Sequence, residues 1–333
     1  MEHLQFTHAI ARIRVFETKL LDKAKIDRMI DSSSSEEALK VLSETEYSNY
    51  MVNIKKPEDY EILLSDELKR LYDLMYSLSP EKSIIHIMAL RYDYHNIKVM
   101  MKGKALNKDL SYLLIPVGTI PEEELKQFIL NEDYKDLSSF MREGIMRAKK
   151  SFEEEKDPQK IDIILDSFMY EEMLSKAKEI NEKFISEYLK VSIDLTNIKT
   201  LLRAKKQNKK RKFLEEILIE GGTIDKKLLI SYELESVDSI VNKLSYTPYE
   251  KIIRSGLDYY SDTGNISYFE KLSENYLMEY VKKAKYVSFG VEPLIGYIIA
   301  KETEIKILRI IMVGKLNNIA PEVIRERLRD VYV

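Results

Sequence analysis

Apolar residues recur along this chain at spacings of three and four, and strict two-residue alternation is hard to find. In Phe6 to Leu20 the apolar positions Phe6, Ala9, Ile13, Phe16 and Leu20 keep that rhythm, which predicts an amphipathic helix. Asp31-Ser-Ser-Ser-Ser-Glu-Glu37 reads as a helix entry, with Ser34 and Glu37 at capping-box spacing, or as a flexible loop. Pro80, Pro121, Pro248 and Pro321 fit helix starts or breaks, and Gly221-Gly222 marks a loop. The pattern predicts a nearly all-α protein.

The pattern also repeats. Aligning Ile97 with Ile198 pairs residues 80–104 with 181–205 without gaps, at an offset of 101. Eight of 25 positions are identical: Glu81/Glu182, Lys82/Lys183, Ile84/Ile185, Asp93/Asp194, Asn96/Asn197, Ile97/Ile198, Lys98/Lys199 and Lys104/Lys205. A looser third copy, 107 residues further on, keeps Ile305, Lys306 and Leu308. A separate echo joins the first and last thirds, where Leu42-Ser43-x-Thr45-x-Tyr47 matches Leu244-Ser245-x-Thr247-x-Tyr249. The period is domain-sized, so we expect three related helical domains, over 1–110, 111–214 and 215–333. Three similar units in series can close around a pseudo-threefold axis, leaving an axial depression suited to receiving an object.

The repeated helix carries a core-facing stripe. In the first copy it is Leu90, Tyr94, Ile97 and Met101, and in the second Val191, Leu195, Ile198 and Leu202. The third copy breaks it: Ile298, Glu302, Ile305 and Arg309. A buried charge needs a partner. Glu302 and Arg309 therefore belong either to a polar network between domains or to a partner-binding surface.

Composition narrows the function. Of 333 residues, 53 are Lys or Arg and 56 are Asp or Glu, a net charge of −3, which argues against general nucleic-acid binding. Hydrophobic residues make up 44%, enough for a sizeable core, and the absence of cysteine excludes disulfides and thiolate chemistry. Charges at Glu2, Arg12, Arg14 and Glu17 interrupt any signal-peptide apolar region, and no run nears the ~18 apolar residues that span a bilayer. We expect a soluble protein, or one held at a membrane through a partner. No phosphate loop surrounds Gly314-Lys315, and the four histidines (His3, His8, His86, His95) show no metal-ligand spacing. No cofactor or metal is expected. The glutamate runs Glu122–Glu124 and Glu153–Glu155 read as solvated faces more readily than as a catalytic pair. The basic run Lys205 to Lys212 suits acidic lipid, an acidic partner or nucleic acid, or is a solvated helix end.

Phe289-Gly-Val-Glu-Pro-Leu-Ile-Gly-Tyr297 through Met312-Val-Gly-Lys-Leu-Asn-Asn-Ile319, followed by Val323 to Tyr332, resembles the closing segment of the C subunit of the archaeal and bacterial V-type (A-type) ATPase, whose eukaryotic relative is the d subunit of the vacuolar enzyme. The opening Ala9-x-x-Arg12, Glu17-x-x-Leu20-Leu21 and Glu37-Ala38-Leu39 resembles that family too. The resemblance implies three similar helical domains arranged as a funnel, with no catalytic residues. It implies a place on the cytoplasmic side of the membrane, on the proteolipid rotor ring. The D and F subunits of the central stalk would enter the funnel, with torque passing between stalk and ring. The choice of H+ or Na+ would belong to the ring. No ligand motif transfers residue by residue. The segment carrying Glu302, Glu304, Lys306, Arg309 and Lys315 is the candidate interface or interdomain polar network. The alternatives are a stand-alone helical adaptor with an axial partner cavity, or an enzyme with a carboxylate site among its charged helices.

Overall fold

A computed structural model describes residues 3–333. Every regular element among the described residues is helical. The α-helices are α1 (Thr7–Glu17), α2 (Lys23–Asp31), α3 (Ser35–Val41), α4 (Tyr60–Leu78), α5 (Lys82–Leu106), α6 (Glu122–Asn131), α7 (Ser139–Glu155) and α8 (Pro158–Glu179). They continue as α9 (Lys183–Lys206), α10 (Arg211–Ile217), α11 (Lys226–Ser231), α12 (Val237–Lys243), α13 (Glu250–Thr263), α14 (Ser267–Lys282), α15 (Glu292–Leu316) and α16 (Pro321–Arg327). Short 3-10 turns join several of them, as at Glu46–Asn53 and Lys283–Tyr286.

Local chemistry explains the boundaries. Ser34 accepts a hydrogen bond from the Glu37 amide at 3.2 Å, as its spacing predicts; the Glu37 carboxylate reaches back one residue further, to the Ser33 amide at 2.9 Å. Ser138 and Ser236 cap α7 and α12 in the same way, each at 3.1 Å. Pro158 and Pro321 open α8 and α16, where a missing N–H costs nothing. The three long helices α5, α9 and α15 end alike. Asn107, Asn208 and Asn318 adopt the left-handed conformation, and the next amide returns to the carbonyl of Gly103, Ala204 or Gly314. Asparagine tolerates that conformation better than a bulkier residue does, and this fixes where each long helix stops.

The chain divides into two compact bodies. The first joins Met1–Ile85 to Glu274–Val333, and the second is His86–Ser273. In the first body α15 is the axis of the core, packed by α1, α3 and α4. Its Leu294, Ile295, Ile298, Ile305, Leu308 and Ile311 are fully or nearly fully buried. Phe6, Ala9, Ile13 and Leu20 are buried as the N-terminal periodicity predicts, whereas Phe16 is only half-buried and Glu17 beside it is buried, through partners described below. In the second body α7 packs on α8 and α8 on α9. Of the expected stripes, Leu90, Tyr94, Ile97 and Met101 are buried, as are Leu195, Ile198 and Leu202, whereas Val191 is only half-buried.

Candidate functional site

The polar residues of α15 fall into a buried pair and an outer set. Lys301 and Glu304 are one helical turn apart and both enter the core, 1% and 5% exposed. Lys301 Nζ lies 2.6 Å from Glu304 Oε1 and 2.9 Å from Oε1 of Glu67 on α4. Arg70 closes the far side of Glu67 with bonds of 2.8 and 2.7 Å. The Tyr47 hydroxyl donates to Glu304 Oε1 at 2.7 Å, and the Leu21 amide to Glu304 Oε2 at 2.5 Å. Two carboxylates thus share one ammonium, one guanidinium, one phenol and one amide. Burial opposes charge on Lys301, yet Glu304 and Glu67 outweigh it and hold the ammonium above its usual pKa. Burial likewise opposes the Glu67 carboxylate, but Arg70 and Lys301 keep its pKa below the ordinary value. For Tyr47, burial and the adjoining carboxylates act together and push the phenol well up.

The sequence pointed instead to Glu302 and Arg309 as replacements in the stripe. Glu302 is half-buried and accepts from the Tyr72 hydroxyl at 2.7 Å. Arg309 is exposed and grips Glu61 through Nε and Nη2 at 2.7 and 3.0 Å. With both partners nearly half exposed, that pair contributes about 0–1 kcal/mol. Lys306 bonds Glu274, which Arg329 also grips at 3.0 Å, and Lys315 donates to the Ser32 carbonyl at 2.7 Å. All five residues lie in the first body. Glu302, Glu304, Arg309 and Lys315 reach residues of the first third of the chain, and Lys306 reaches α14. Lys301 and Glu67, which the stripe does not single out, carry the buried charge. The signal was there: the third-copy offset sets Lys301 and Glu304 against Asp194 and Asn197.

Those counterparts, and Asp93 and Asn96 on α5, are also buried and hold loops. Asp93 on α5 is fully buried and accepts from the Thr119 amide at 3.0 Å, the Thr119 hydroxyl at 2.7 Å and the Ile120 amide at 3.1 Å. Asn96, one turn on, pairs with both backbone groups of Ile115, each at 2.9 Å. Asp194 on α9 accepts from the Thr223 hydroxyl, from its amide at 3.1 Å and from the Ile224 amide at 3.0 Å. Asn197 pairs with both backbone groups of Ile219 at 2.8 Å. In each case the buried pair latches the loop that leads into the next short helix, α6 or α11. Glu304 does this for the Leu21 amide at the entry to α2. The Leu-Ser-x-Thr-x-Tyr echo closes two of the three. Tyr47 donates to Glu304, and Tyr249 donates to Asp194 at 2.9 Å. Asp93 gains no phenol; burial, opposed by Thr119 and Ile120, pushes its pKa up to about 6.

Other polar residues make contacts within the chain. Arg14 bonds Glu17 at 2.8 Å and the Ala284 and Val287 carbonyls at 2.9 and 2.7 Å, while the Tyr332 hydroxyl donates to Glu17 at 2.8 Å. From the basic run, Lys205 and Lys206 cap the carbonyls of Glu233 and Gly264, and Lys209 lies over the Phe213 ring. His95 bonds the Leu113 carbonyl through Nε2 at 2.9 Å. Among the described residues no group of three His, Asp or Glu side chains is placed to hold a metal, and no helix is long and apolar enough to cross a membrane. Two grooves of about 250 and 260 Å³ in the second body share Lys104 and Ile129, and their walls are mainly apolar.

The family described as ATP synthase (C/AC39) subunit matches residues 9–327. The A-type ATP synthase C subunit of Methanocaldococcus jannaschii is 30% identical over 344 aligned residues, covering 97% of this chain and 86% of the relative. The V-type sodium ATPase C subunit of Enterococcus hirae is 29% identical, covering 96% and 97%. The A-type ATP synthase C subunit of Methanosphaera stadtmanae is 27% identical, covering 96% of this chain and 86% of the relative.

Proposed function

The chain belongs to the family described as ATP synthase (C/AC39) subunit, whose members include C subunits of A-type ATP synthases and of a V-type sodium ATPase, and we propose that it is a structural, non-catalytic rotor component linking the central stalk to the membrane ring. In that role it passes torque between ATP turnover in the soluble head and ion translocation at the ring. Its partners are the D and F subunits of the central stalk on one side and the proteolipid ring on the other. It sits peripherally on the cytoplasmic side of the membrane, and its membrane attachment runs through the ring.

The observation that supports this reading is a buried Asp/Asn latch that recurs on α5 and α9, with Glu304 of α15 holding the Leu21 amide in a related way. A torque coupler needs helices whose entry angles do not yield. Each latch fixes a loop by hydrogen bonds to a carboxylate in a site of low dielectric, where such bonds are strong and their loss is costly. The recurrence is in keeping with the proposal of related repeats over 1–110, 111–214 and 215–333; the funnel about a pseudo-threefold axis is what the family resemblance implies for them. We assign Glu302, Lys306, Arg309 and Lys315, whose charged groups lie at or near the surface of α15, to an interface, and Glu304 to the polar network beneath it.

Copurification tests this reading. The purified chain should be retained by detergent-solubilised rotor rings and should bind the isolated stalk pair at micromolar concentration. If it binds neither, the assignment to a coupler fails.

A further inference from the structure

The two long-helix pairs α4–α5 and α8–α9 are joined by minimal turns. Only Ser79-Pro80-Glu81 and Ile180-Asn181-Glu182 separate the helices. In both, the glutamate side chain caps the next helix, Glu81 accepting from the Ser83 amide at 3.2 Å and Glu182 from the Phe184 amide at 3.1 Å. The third pair departs from this economy. Nine residues, Lys283 to Val291, separate α14 from α15. They form a 3-10 turn followed by a strap that passes through Gly290 at φ 125°, a conformation open to glycine.

What the added residues display is specific. Tyr286 is 88% exposed and Phe289 53% exposed. Lys283 and Lys285 stand beside them, Lys282 is paired with Glu279 at 2.6 Å, and Lys283 to Val291 contains no acidic residue. Floppiness does not explain the exposure, because the segment is held from below. Arg14 of α1 clasps the Ala284 and Val287 carbonyls, Ala284 is fully buried, and Lys285 lies 4.7 Å over the Tyr332 ring. The scaffold therefore fixes the backbone while leaving two aromatic rings outside, next to Lys283 and Lys285. Aromatic rings flanked by lysines suit the boundary between water and an anionic bilayer: rings settle at headgroup depth and ammonium groups meet the negative surface potential.

We propose that the Lys283–Gly290 loop is a direct contact for anionic lipid headgroups, with Tyr286 and Phe289 entering the interfacial layer. This contact is separate from the attachment through the ring, and neither reading depends on the other.

Cosedimentation of the full chain with vesicles tests the proposal. The chain should bind phosphatidylcholine vesicles containing phosphatidylglycerol, bind pure phosphatidylcholine vesicles at least tenfold less, and release with rising salt. Each lysine near the surface is worth roughly fivefold in affinity, so the double variant Lys283→Glu, Lys285→Glu should lose at least about 25-fold. Tyr286→Ser with Phe289→Ser should abolish binding without moving the melting temperature, since both rings are exposed. The chain contains no tryptophan, so Phe289→Trp gives a single reporter whose emission should shift to the blue when anionic vesicles are added. The proposal is overturned if the full chain ignores anionic vesicles, if both loop variants bind as the parent does, or if the Phe289→Trp emission does not move. Binding of this loop to an acidic protein surface with no vesicle binding would overturn it as well.

Discussion

Lys301 is the residue on which the first body's buried charge depends. It neutralises Glu304 directly and shares Glu67 with Arg70, and all three of Lys301, Glu304 and Glu67 are buried. Removing one member of a buried ion network costs more than the network contributes, because the remaining charges stay desolvated. Lys301→Met should therefore destabilise the protein by about 3–5 kcal/mol, read as a lower urea midpoint. Two carboxylates give opposite pH signatures. Glu67 has a folded pKa below its unfolded one, so its contribution is present above the unfolded value and is lost as pH falls through the folded one. Asp93 has a folded pKa of about 6, above its unfolded value, so the folded state takes up its proton first. Its contribution is full below the unfolded value and falls as pH rises to about 6. The stability difference between the parent and Asp93→Asn should thus shift against the parent from about pH 4 to 6 and level off above. A difference that grows in the parent's favour over that range would contradict the assignment.

At the scale of elements, the latch shows both what the sequence displayed and what it concealed. Asp93/Asp194 and Asn96/Asn197 were visible as identities because α5 and α9 align without gaps. Their targets were not, although Gly118-Thr119-Ile120 and Gly222-Thr223-Ile224 are the same three residues. They lie 104 residues apart whereas the helices lie 101 apart, so a three-residue difference between helix and loop took them out of register. The Tyr47 and Tyr249 echo was equally plain as a pattern, yet its endpoint on a carboxylate of another helix is a fact of folding that spacing does not contain. The third latch was the least legible, because Lys and Glu replace Asp and Asn and the loop it holds precedes it by 283 residues. The glycines give the sharpest test of equivalence. A Cβ at Gly118 would lie 2.1 Å from Asp93 Oδ1, and one at Gly222 would lie 2.1 Å from Asp194 Oδ1. Gly118→Ala and Gly222→Ala should each cost about 1–3 kcal/mol by thermal melting, whereas alanine at exposed loop positions should cost little. Neutral substitutions at both would mean that the loops are not clasped as described.

At the scale of the whole molecule, the helical fold was legible from periodicity, glycine and proline scarcity, and the absence of alternation. Family membership was legible from the C-terminal segment and is shown by the match over residues 9–327. Buried polar residues of α5, α9 and α15 hold loops of the chain, and among the described residues no group of three His, Asp or Glu side chains is placed to hold a metal. The proposed role, mechanical coupling, asks for stiffness and contact, which the buried latches would supply. The most direct test uses membrane vesicles bearing the parent rotary complex, prepared with and without this component. The complex lacking it should still hydrolyse ATP in its head while ATP-driven ion uptake falls to background, and adding back the purified chain should restore uptake. Ion uptake at the full rate without the chain would contradict the coupling role.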